Sequence, residues 1–175
     1  ELKSVYDQLF ASAQRNAAPF EALTTLYGRA ALVQKELGVS QQELIRFTDN
    51  VAVALRVSGR TAEQSAGALL QLGQALGSGA VRAEEFNSIQ EGAQPILLAV
   101  ASGLKEAGGS VAALRTLVID GKVSSEAFFR AFEAGAVVLQ GKAAVATTTN
   151  AQAFEQLKNS IIRAAGQFDD AVGLS

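Results

Sequence analysis

The chain has 175 residues, 49% hydrophobic and 18% charged, which is enough apolar surface for one or two small cores and too little charge for a disordered tail. Fifteen basic residues against seventeen acidic ones leave a net charge of −2, without the concentrated positive excess that gripping nucleic acid phosphates requires. With no His and no Cys, the sequence excludes disulfides, thiolate nucleophiles, Cys-based metal sites and the usual general base.

The longest apolar run, Ile96 to Ala101, is far short of the roughly 20 residues that cross a bilayer. The first residue is Glu1, and no charged leader with an apolar run and cleavage site follows it, so the expectation is an internal segment of a longer protein.

In chain order, Leu2 to Gln14 places Val5, Leu9 and Ala13 on one helical face. Pro19 opens a second helix carrying Leu23, Leu26, Ala30, Val33 and Leu37, which Gly38 closes. Ser40-Gln41-Gln42-Glu43 is a capping box, and Leu44, Phe47, Val51 and Leu55 follow at helical spacing until Ser58-Gly59. Ile45, Val53 and Val57 widen that stripe and predict burial on more than one side.

Thr61-Ala62-Glu63-Gln64 repeats the capping pattern ahead of Ala66, Leu69, Leu72 and Leu76. Gly67, Gly73 and Gly77 in that helix each cost roughly 0.5–1 kcal/mol against Ala, so close backbone packing is the expected compensation. Arg82 to Glu91 reads as a short helix with Phe86 and Ile89 inward, and Pro95 starts another that runs through Ser102.

Gly108-Gly109-Ser110 precedes a helix from Val111 to Ile119, and Asp120-Gly121-Lys122 is a turn. Ser124 or Ser125 caps a helix with Phe128, Phe129, Phe132 and Val138. Thr149-x-x-Gln152 caps the last and longest helix, about 23 residues or 35 Å. Phe154, Leu157, Ile161, Ala165, Phe168 and Val172 form its apolar stripe, with Glu155, Lys158, Arg163 and Asp169 away from it. Only Thr116–Ile119 and Ala144–Thr147 are β-prone, and both are too short to demand a strand.

The expected fold is all-α, an array or bundle of about seven to nine short-to-medium helices joined by Gly, Pro and Ser breaks, with a longer C-terminal amphipathic helix.

Four strings imitate functional motifs. Gly135 to Lys142 imitates a phosphate loop, but five residues separate Gly135 from Gly141, Ala143 replaces the metal-binding hydroxyl and no strand precedes it, so a helix end capped by Gly141 is the better reading. Ser102-Gly103-Leu104-Lys105 matches a Ser-x-x-Lys string without its partner element, and reads as a helix end with a solvated lysine. Glu84, Glu85 and Glu91 could pair as acid and base or hold a hard cation, but glutamates in a first helical turn also simply favour the dipole. Gly73-x-x-x-Gly77 sits among glutamines, which favours a packing contact over membrane pairing. No catalytic, cofactor or metal-ligating set emerges. The terminal stripe is the candidate interaction surface, and spacing alone leaves local packing and intermolecular docking open.

The order Ser58-Gly59-Arg60-Thr61, Leu72-Gly73-Gln74-Ala75-Leu76, Gly79, Glu84-Glu85-Phe86-Asn87-Ser88-Ile89-Gln90-Glu91 and Pro95 resembles the conserved N-terminal domain of tailed-phage tape measure proteins. Leu114-Arg115-Thr116-Leu117, Asp120-Gly121-Lys122-Val123-Ser124, Phe129 and Thr147 to Ile161 with Leu157-Lys158-Asn159-Ser160 continue it, over roughly residues 20 to 165. Gly59, Gln74, Glu85, Phe86, Asn87, Ile89, Glu91, Pro95 and Gly121 carry most of the likeness.

The resemblance implies a non-enzymatic structural component of a phage or prophage tail that sets tail length and templates tube polymerisation. The implied partners are the tail tube protein, tail assembly chaperones and tail tip or baseplate proteins, with self-association also open, no direct nucleic-acid binding, and membrane contact only during infection. The implied location is the tail lumen of the virion, and the host cytoplasm during assembly. On this reading, residues 1–149 are a helical tape-measure-like module and 150–175 an amphipathic helix leading toward downstream sequence. Fully helical, 175 residues would reach only about 260 Å, so downstream coiled sequence is expected to supply most of the ruler. Two other classes stay open: a membrane-active helical module that assists genome delivery, and a generic helical protein-binding domain.

Overall fold

The computed structural model describes residues 1–146 and 149–172, with backbone alone at 150, 151 and from 168 onward. Among the described residues the chain is all-α, with ten helices in the order α1 Leu2–Asn16, α2 Phe20–Leu32, α3 Gln34–Leu37, α4 Gln41–Ser58, α5 Ala62–Gly77, α6 Ala83–Gly103, α7 Val111–Ile119, α8 Ser125–Gly135, α9 Val137–Ala143 and α10 Asn150–Val172.

The starts are where local chemistry puts them. Ser40 Oγ accepts from Glu43 N at 3.2 Å while Ser40 N donates to the Glu43 carboxylate at 2.7 Å, and Thr61 and Gln64 repeat the exchange at 3.3 Å in both directions. Ser110 and Ser124 cap α7 and α8 through Ala113 N and Ala127 N.

The count differs from expectation because two apolar stripes are interrupted. At Val33 (φ −111°, ψ 19°) the path leaves the helix and resumes as the single turn α3, so the element expected from Pro19 to Gly38 is two. Ala136 likewise separates α8 from α9, which puts Val138 outside the phenylalanine helix and exposes it. The reverse occurs in α6, where the two expected helices are joined across a kink at Ala93 (φ −156°, ψ 51°). Pro95 lies two residues on and has no N–H to give to the preceding turn. Gly141 lies inside α9 and does not cap it; the cap is Ala144.

The core is built around α6, whose Phe86, Ile89, Ala93, Ile96, Leu97, Ala99, Val100 and Ala101 are fully buried between α5, α8, α4 and α7. Phe47 of α4 stacks on Phe129 of α8 at 4.5 Å and meets Phe132 edge-on at 5.1 Å. Each such ring adds about 1.5–3 kcal/mol of burial plus 0.5–1.5 for the pairing.

Helices α6 and α8 cross at Gly103 and Gly135. A Cβ on Gly103 would overlap the Ala131 carbonyl, and one on Gly135 the Ala99 carbonyl. The crossing is main chain against main chain, which only glycine permits. The close packing expected of α5 is made by other residues than the sequence implied: Gly92 of α6 lies against Gln64 O and Ala68 of α5, Gly73 lies under the Arg29 side chain, and Gly67 and Gly77 face open space. Ala66, expected inward, is exposed, and Ser65 and Ala68 take the buried face.

Of the β-prone runs, Thr116–Ile119 lies in α7, Ala144 to Ala146 makes a turn and non-regular chain, and Thr147 lies outside the described residues. One antiparallel bridge joins Ala80 to Ser124, with Val81 N donating to Val123 O at 3.0 Å, so the loops before α6 and α8 are tied together.

Candidate functional site

Helix α10 is amphipathic, and it sits on the body by its polar face. Gln152, Glu155 and Asn159 are buried, while Phe154, Leu157 and Ile161 are 77%, 57% and 61% exposed. Ala165 is also exposed, and the side chains of Phe168, Asp169 and Val172 lie outside the described residues.

Hydrogen bonds to the ends of other helices account for this orientation. The Asn159 carboxamide donates to Ala18 O at 2.8 Å and accepts from Phe20 N at 3.1 Å, bridging the joint between α1 and α2. Gln152 donates to Arg56 O at 3.2 Å in the last turn of α4, and Gln156 donates to Gln14 O at 2.8 Å in the last turn of α1. These main-chain groups fall at helix ends, where intrahelical partners run out; Gln14 O otherwise takes only a long bond from Ala17 N at 3.4 Å. Gln14 returns a bond to Ser160 Oγ at 3.0 Å, and Arg163 pairs with Asp7 at 3.2 Å while lying 4.3 Å from the Phe10 ring centre. Thr149 and Gln152 complete a capping box at 3.0 and 3.1 Å, so Gln152 both starts α10 and ties it down.

Sequence reasoning singled out the apolar stripe and missed the amide one. Gln152, Gln156, Asn159 and Arg163 recur at steps of four, three and four, the spacing of one helix face. Three neutral amides on such a face, where a solvated surface would carry more charge, are the signal that could have found it.

The residues that carry the resemblance noted in the sequence fall into three groups. Phe86, Ile89 and Pro95 are buried along α6, and Glu85 is buried with its carboxylate accepting from Arg82 N at 3.0 Å. Gly59 (φ 64°) and Gly121 (φ 69°) hold left-handed backbone at the end of α4 and in the turn after α7. Gln74, Asn87 and Glu91 are exposed on α5 and α6. Gln74 and Glu85 line one shallow groove with Gln71 and Arg82, and Glu91 lines the next with Arg60 and Gln64.

Glu84 and Glu85 occupy the first turn of α6, the dipole-favoured position, and burial pushes the Glu85 carboxyl above the usual carboxylate range. The Ser-x-x-Lys string ends α6, with Lys105 exposed.

The densest charge cluster ties α3, α4 and α8 together. Arg130 donates to Glu43 at 2.6 Å and to Gly38 O at 2.7 Å, and Glu133 takes weaker contacts from Arg130 at 3.4 Å and Arg46 at 3.5 Å. The Ser40 amide and then Arg130 pull the Glu43 pKa down to about 2. Apart from the Arg130–Glu133 contact within α8, every bond in this cluster closes a helix start or joins two helices. Among the described residues no group of three His, Cys, Asp or Glu could hold a metal ion, and no helix is long and apolar enough to cross a membrane.

No curated protein and no solved structure matches the chain significantly. The family model described as tape measure protein matches residues 1–170, covering the helical body and most of α10. The chain therefore belongs to the tape measure protein family, whose members are structural components of phage tails rather than catalysts.

Proposed function

We propose that this chain is a contact module of the tape measure protein, acting within the growing tail where the protein sets length and templates polymerisation of the tube. Residues 1–149 are the body, and 150–175 form an arm that presents an apolar face to tail tube protein, assembly chaperones, or tip or baseplate proteins. The location that goes with this reading is the host cytoplasm during assembly and the tail lumen in the virion.

The observation that carries the proposal is the outward apolar face of α10. Phe154, Leu157 and Ile161 remain exposed on a helix whose polar face is seated by directed hydrogen bonds. Exposing three large apolar side chains on one stripe forgoes about 1.5–3 kcal/mol of burial each, an arrangement typical of interaction surfaces. The body also supports the view that this segment contributes contacts more than reach. Its helices fold back on one another, and even α10, longer than any of them, spans only about 35 Å.

The test is phage assembly with the full-length protein carrying Phe154→Ser, Leu157→Ser and Ile161→Ser together, with tails counted and measured by electron microscopy. The expected result is a loss of tails, or tails of irregular length, with the protein still folded and expressed. Tails of normal number and length would overturn the proposal.

A further inference from the structure

The buried apolar cluster of the chain runs from Val5 of α1 to Leu139 of α9, and among the described residues none of α10 belongs to it. The buried residues of α10 are Gln152, Glu155 and Asn159, and its Ile162 is half-buried. The seat is therefore made mainly of polar atoms. Gln152, Gln156 and Asn159 bond to main-chain groups of Arg56, Gln14, Ala18 and Phe20. Gln14 donates to Ser160 Oγ, and Arg163 pairs with Asp7 where both side chains stay partly in water.

A seat of this kind separates at small cost and leaves the body whole. Apolar burial resists separation in proportion to the area it keeps from water, whereas a hydrogen bond that water can replace contributes little net. Lifting α10 wets Gln14 O, Ala18 O, Arg56 O and the Phe20 amide, and takes no member of the apolar cluster with it. These groups lie at the ends of α1, α2 and α4, so a single event frees all three ends.

We propose that α10 is a releasable strap. Seated, it clamps the ends of α1, α2 and α4; released, it lifts as one unit from a body of α1 to α9 that stays folded. This follows from how α10 is seated and is independent of what its outer face contacts, so normal tails in the serine variant of that face would leave the strap standing.

The Phe20 amide reports the release directly. It is the first amide of α2, without a partner in its own helix, and it is buried with its proton on Asn159. Its exchange requires α10 to leave and no helix to melt.

The test is residue-resolved hydrogen exchange of the 175-residue chain in a urea series below the unfolding transition. Phe20 and the α10 amides from Leu157 to Ile161 are expected to exchange as one group, with protection factors roughly hundredfold or more below those of Ala99, Val100 and Ala101 in α6. Their rates should be nearly flat in urea, because the opening exposes little surface, while the α6 amides wait for global unfolding and speed up steeply. In the double variant Gln156→Ala, Asn159→Ala, which removes seat bonds without lowering helix propensity, Phe20 and α10 should lose protection and α6 should remain protected. Exchange of Phe20 and α10 at the α6 rates with the same urea dependence, or loss of α6 protection in the double variant, would overturn the strap. So would fast exchange in α10 with Phe20 held at the α6 rate, since the helix would then melt in place without leaving.

Discussion

Asn159 and Phe20 stand 139 positions apart, and the Asn159 carboxamide oxygen accepts the first amide of α2 from Phe20 at 3.1 Å, while its nitrogen donates to Ala18 O. Asn159 is fully buried, so both main-chain groups depend on it where water is excluded. Asn159→Ala is expected to cost about 1–3 kcal/mol, the penalty of leaving such groups unpaired. Asn159→Asp keeps an acceptor for Phe20 but sets a buried carboxylate oxygen against Ala18 O with no proton between them, so it should cost at least as much. Hydrogen exchange at the Phe20 amide checks the assignment: it should speed up in both variants. No change in either variant would show that the amide seat does not hold α10.

That relationship marks the boundary of what the sequence made legible. Capping boxes at Ser40, Thr61 and Thr149 were readable because each is closed by residues three positions apart. The inward faces of α1, α4 and α6 were readable because helical period maps directly onto burial there. The orientation of α10 was not, because a hydrophobic stripe states which residues prefer to leave water and says nothing of carbonyls freed at the ends of distant helices. The same limit applied to glycine. Gly67, Gly73 and Gly77 drew attention by their density, while the contacts that require glycine lie at Gly92, against Gln64 O of α5, and at Gly103 and Gly135, which nothing in one sequence pairs. Exposed Gln74 and Glu91 stood out in the sequence by the resemblance, and the grooves they line only in the packing of α5 on α6.

The α6–α8 crossing gives a second prediction. Gly103→Ala and Gly135→Ala each press a methyl group into a facing carbonyl, so each is expected to destabilise by about 3 kcal/mol or more, at the upper end for overpacking. Because each glycine lies in the other's contact, the double variant should cost less than the sum of the singles. Denaturant unfolding of the three proteins measures this, and single costs below 1 kcal/mol would show that the helices can separate freely.

Acid behaviour follows from Glu43. Its pKa is held at about 2 against an ordinary 4.5, first by the Ser40 amide and then by Arg130. For a carboxylate depressed in the folded state, the stabilisation is fully present above the unfolded value and disappears as pH falls through the folded one. Glu43→Gln can still accept from Ser40 but lacks the charge. The difference in melting temperature between wild type and Glu43→Gln should therefore be largest above pH 4.5, shrink below it and vanish near pH 2. A difference that stayed constant across that window would rule out the ionised pair as its source.

The seating of α10 by its polar face, on which the outward apolar surface depends, is most directly measured by thiol labelling, since a chain without Cys reports one introduced position at a time. In dilute solution, Leu157→Cys and Ile161→Cys should react with a maleimide at nearly the rate of an unfolded control. Gln152→Cys and Glu155→Cys, on the buried face, should react roughly tenfold or more slowly. The reverse order, with 157 and 161 protected and 152 and 155 reactive, would mean that α10 packs by its apolar stripe, and the surface proposed for contact would not exist.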